Sequence, residues 1–92
     1  MNLETLVTKY IVSAEKAMKE IELKGVVSVT EENVANILGY VENYLEDAKY
    51  YKTQGKLETS LTSIAYCEGL LDALRLLGAV KFEWPMKAER KR

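Results

Sequence analysis

The 92 residues carry a net charge of −1, with 48% hydrophobic and 29% charged residues, so the chain is one small globular domain with no room for a second. That balance excludes a disordered chain and gives no electrostatic footprint for nucleic acid. The absence of histidine and the single cysteine, Cys67, remove the commonest general base, the commonest metal ligand and any internal disulfide.

From Leu3 to Leu23 the residues Leu3, Leu6, Val7, Tyr10, Ile11, Ala14, Ala17, Met18 and Ile21 recur at i, i+3, i+4 and i+7, which predicts an amphipathic helix. Asn2 is its expected N-cap and Gly25 its expected terminator. Val26–Val29 is β-branched and too short for a helix, so it reads as an extended connector. A capping box beginning at Ser28, or Thr30 as an alternative cap, starts helix 2 near Glu31.

Val34, Ile37, Leu38, Val41, Tyr44, Leu45, Ala48 and Tyr51 share one face of helix 2, which stops at Gln54-Gly55. Helix 3 runs from about Leu57 to Leu77, with Gly78 after it. It is apolar over more than half its circumference, the mark of an element buried on several sides or facing another chain. The small residues Ser60, Ser63, Ala65, Cys67 and Gly69, with Gly39 on helix 2, suggest close approach of the two backbones. Beyond Gly78, apolar and charged residues alternate up to Pro85, a segment that could lie extended with Trp84 as its anchor.

The expected architecture is an all-α, three-helix antiparallel bundle, up-down-up, with residues 1–80 as the domain and 81–92 as a basic C-terminal tail. The tail holds 5 basic and 2 acidic residues against 8 and 12 in the body. No signal-peptide pattern opens the chain, and no apolar run approaches the roughly 18 residues of a membrane span, so a cytoplasmic protein without a membrane partner is expected.

Tyr50-Tyr51, Gly55, Leu57-Glu58-Thr59-Ser60-Leu61, Ile64-Ala65-Tyr66, Glu68-Gly69-Leu70-Leu71-Asp72-Ala73-Leu74-Arg75 and Leu77-Gly78, taken as a unit, resemble the archaeal family called domain of unknown function 357. The likeness covers the second half of helix 2 and all of helix 3. It implies a helical protein without an established activity. It further implies an accessory role beside a nucleotidyltransferase of the phosphopantetheine adenylyltransferase kind, a half that these residues do not contain.

No complete catalytic or metal signature is present, and no cofactor is implied. The sharpest chemical candidate is the acidic set Glu42, Glu46, Glu68 and Asp72, because carboxylates facing one another across a bundle can hold magnesium or manganese. On a 100° wheel, however, Glu42 and Glu46 lie about 100° and 140° from the centre of the helix 2 stripe and point sideways. Glu68 and Arg75 fall inside the apolar sector centred on Ile64, where a charge needs a partner, so a buried polar network of Glu68, Arg75, Tyr44 and Tyr10 is expected. Two functional readings follow. The first is a non-catalytic helical interaction or oligomerisation module, a homodimer or a binder of another protein. The alternative is a divalent-metal-dependent nucleotide-binding or hydrolase domain using the helix 2 and helix 3 carboxylates.

Overall fold

A computed structural model describes residues 2–85. Three helices follow one another, α1 over Leu3–Glu20, α2 over Glu31–Thr53 and α3 over Leu57–Leu76, and the fold is all-α. No helix among the described residues is long and apolar enough to cross a membrane.

Local signals set most boundaries. The Asn2 side chain accepts from the Thr5 N–H at 2.7 Å and caps α1. Thr30 caps α2 through a reciprocal box, its Oγ1 accepting from the Asn33 N–H at 3.1 Å while Asn33 Oδ1 accepts from the Thr30 N–H at 3.2 Å. Of the two caps considered from sequence, Thr30 is therefore the one used. It satisfies two of the orphan donors that every helix start exposes.

The far ends of α2 and α3 close in the same way. Gly55 takes φ 75° and Gly78 φ 76°, the left-handed conformation that glycine adopts at no steric cost. Each is followed by a hydrogen bond back across the last turn, Lys56 N–H to the Tyr51 carbonyl and Ala79 N–H to the Leu74 carbonyl, both 2.9 Å. These are Schellman closures. Helix α1 departs from expectation, ending at Glu20 rather than near Gly25, with Ile21 already extended; Gly25, at φ 82°, turns the connector instead.

α2 and α3 pack as an antiparallel hairpin. The direction is visible in its cross-contacts: Ser60 Oγ donates to the Ala48 carbonyl at 2.7 Å, and the Tyr66 ring meets Tyr44 edge-on with centroids 4.4 Å apart. As the α3 number rises, the α2 number falls. Every residue assigned to the apolar face of α2 is buried or half-buried, which confirms the reading of that stripe. On α3 the inward residues are Ser60, Ile64, Cys67, Leu71 and Leu74, so the buried seam centres on Cys67, about 60° around the helix from Ile64. Among the described residues only Val41, Ala48, Cys67 and Leu74 are buried.

Small residues do let the two helices approach at Ala48, Ser60 and Cys67. Gly39 and Gly69 contribute nothing to this, since a Cβ at either would meet no atom within 4 Å. The larger departure is α1. It makes no contact with α2 or α3, and every residue from Leu3 to Thr30 is exposed. The radius of gyration is 15.7 Å, against about 12 Å for a compact chain of this length.

Leu74, at 1% exposure, is the best-buried side chain of the seam. Leu74→Ala is expected to lower the stability of the hairpin by about 2–4 kcal/mol in urea denaturation followed by circular dichroism. A loss well under about 1 kcal/mol would mean that the seam is not the core.

Candidate functional site

The acidic set does not assemble. Among the described residues no group of three histidine, cysteine, aspartate or glutamate side chains is placed to hold a metal ion. Glu46 pairs instead with its own-helix neighbour Lys49, at 3.2 Å and with both side chains largely exposed. Glu42 is exposed, while Glu68 and Asp72 are half-buried on α3. The sideways direction read from the helical wheel explains why these carboxylates fail to converge.

Tyr10 stands apart from the other members of the expected polar network. No polar or charged residue among those described is buried. Tyr10 is 65% exposed on α1, out of reach of the hairpin, whereas Tyr44 lies in the seam against the Tyr66 ring. Arg75 is exposed and donates to Asp72 at 3.4 Å. The seam's rotation toward Cys67 explains the difference. It moves Glu68 and Arg75 from the centre of the buried face to its flank, where water still reaches them.

A polar cluster does form, at the C-terminal end of α3. Trp84 Nε1 donates to Asp72 Oδ1 at 2.7 Å, the oxygen that also accepts from Arg75. The Phe82 ring stands edge-on to Trp84 at 5.0 Å, and the Arg75 guanidinium lies 6.0 Å from the Phe82 ring centre. The segment after Gly78 is thus fastened to α3 by a charge-assisted hydrogen bond to Asp72 and by the cation–π approach of Arg75 to Phe82. Trp84 was legible as an anchor from its alternating surroundings. Its acceptor was not, because Asp72 looked like part of an acidic set.

Cys67 is buried, and its thiol pKa is raised, first by desolvation and then by the nearby Glu68 carboxylate. Both causes disfavour the thiolate, so this sulfur is a packing group rather than a nucleophile. The unfolded chain deprotonates first. This contribution to stability is therefore intact at neutral pH and is lost as pH rises from the ordinary thiol range, about 8.5, toward the folded value.

Much of what remains exposed is apolar. Leu6, Val7, Tyr10, Ile11 and Met18 form an uncovered stripe along α1, and Ile21 just past its end is exposed as well. On the hairpin, Leu57 and Leu61 are 64% and 68% exposed. At 100° per residue they share the α3 flank with Ile64 and Leu71, and Leu38 and Leu45 lie on the matching flank of α2. Tyr44 and Tyr66 close the opposite flank. A shallow open hollow of about 480 Å³, lined by Val29, Val34, Leu38, Leu77 and Ala79 among others, marks the end of the hairpin where the connector arrives.

These features define the class, an all-α helical hairpin preceded by an undocked amphipathic helix, with an apolar surface and no gathered catalytic set among the described residues. The chain belongs to the family described as protein of unknown function DUF357, whose sequence profile matches residues 9–80. No curated protein and no solved structure matches it.

Two measurements check this geometry. Asp72→Ala removes the Trp84 acceptor and should shift the emission of this single tryptophan to the red; an unchanged spectrum would contradict the hydrogen bond. The Cys67 thiol should react with an aromatic disulfide reagent at pH 8 far more slowly in the native protein than in denaturant. Equal rates would contradict its burial.

Proposed function

We propose that this chain is a non-catalytic helical protein-interaction and oligomerisation module that works in the cytoplasm. One observation carries the reading: α1 presents an apolar stripe that no other element among the described residues covers. An isolated helix of 18 residues is marginal in water, because nucleation is costly and most helix stability in proteins comes from packing an apolar face. Its N-cap is worth only about 1 kcal/mol. A partner surface supplies the rest.

The composition agrees with this role. A net charge of −1 and the lack of histidine suit a surface that buries leucine, isoleucine and tyrosine better than one that handles protons. Exposed Tyr40, Tyr50 and Tyr66 add the amphipathic aromatic residues that interfaces favour.

Light scattering on the purified chain across the micromolar range is expected to give a mass above the 10.5 kDa of one copy. The apparent mass should rise with concentration until one assembly dominates. A strict monomer at high micromolar concentration would contradict the self-association in this proposal.

A further inference from the structure

Resting on that reading, we propose that the partner is a second copy of this chain and that the two copies exchange α1, each seating its apolar stripe on the open Leu57, Leu61 and Ile64 flank of the other's α2–α3 hairpin. The surface area points to this arrangement. A folded chain of this mass exposes roughly 5,400 Å², whereas this one exposes 8185 Å². Even with a generous allowance of roughly 1,400 Å² for the eight residues outside the description, about 1,300 Å² per chain is left over. Two copies would then hide about 2,600 Å² between them, inside the range of obligate homodimers.

The two surfaces fit in length and chemistry. α1 has 18 residues and α3 has 20, about 27 and 30 Å, so α1 can run nearly the whole hairpin. Its stripe of Leu6, Val7, Ile11 and Met18 meets the leucines and isoleucine of a flank that Glu68 and Arg75 border, while Tyr44 packs edge-on against Tyr66 on the opposite flank. Each copy has one stripe to give and one flank to fill, so a two-fold pair closes on itself.

The connector has the form that exchange requires. Ile21–Thr30 is exposed throughout, with Leu23 at 94% and Val26 at 102%, and it holds α1 out of contact with the chain's own hairpin. An extended hinge that joins a complete, capped helix to a complete hairpin is the arrangement of an exchanged element. The family profile spans residues 9–80, from within the first half of α1 through the hairpin, so parts that do not touch within one chain belong to one unit. Exchange gives that unit its contact.

The test is an isotope-filtered NMR experiment on the full chain, mixing uniformly labelled and unlabelled copies, alongside the mass from light scattering. Exchange predicts a dimer with intermolecular NOEs between α1 methyls of Leu6, Ile11 and Met18 and the hairpin methyls of Leu57, Leu61 and Ile64. A dimer in which those NOEs are absent or arise within one chain overturns the exchange while leaving oligomerisation standing. A monomer overturns both. The double variant Leu6→Glu/Ile11→Glu should raise the dimer dissociation constant at least about 100-fold. The Tyr44–Tyr66 ring-current shifts should persist in it, showing the hairpin intact. An unchanged dissociation constant with those shifts retained would also overturn the proposal.

Discussion

Everything else in this molecule depends on the seam between α2 and α3. Val41 and Ala48 on one helix and Cys67 and Leu74 on the other are the only buried residues among those described. Their small and medium side chains set how closely the helices approach, and the Ser60 hydroxyl bonded to the Ala48 carbonyl ties the two helices together near the turn. A seam so narrow uses one face of each helix. It therefore leaves α3 with a second apolar flank, while α1 stands off the hairpin.

Much of this architecture was readable from residue order, and the reasons differ from one element to the next. The α2 stripe was right at every position because eight apolar residues at regular spacing admit one phase. Gly55 and Gly78 marked their helix ends because few other residues tolerate the backbone they adopt. α3 was harder. Apolar over most of its circumference, it allowed several phases, and centring it on Ile64 instead of Cys67 carried Glu68 and Arg75 into a core they do not occupy. The position of α1 was beyond the reach of periodicity altogether. A helical stripe records that a helix has something to bury, and it carries no record of which chain provides the surface.

The candidate chemistry shows the same division. Acidic residues at compatible levels on two antiparallel helices suggested a metal site, but level is only one coordinate. Direction is the other, and Glu42 and Glu46 have it wrong. Asp72 finds a different task, accepting from Trp84 and Arg75 and so fixing the segment after Gly78 along α3. That cluster sits near the C-terminal end of α3, where Leu76 and Leu77 stay exposed, as Leu57 and Leu61 do toward its N-terminal end.

The central claim is that α1 is stable only when a partner covers it. Hydrogen exchange of α1 backbone amides, followed by mass spectrometry at concentrations from nanomolar to high micromolar, tests this most directly, with the α2–α3 hairpin as an internal standard. The account predicts that α1 amides exchange rapidly when dilute and gain protection with concentration in step with association. Protection of α1 at nanomolar concentration equal to that of the hairpin, and independent of concentration, would contradict it.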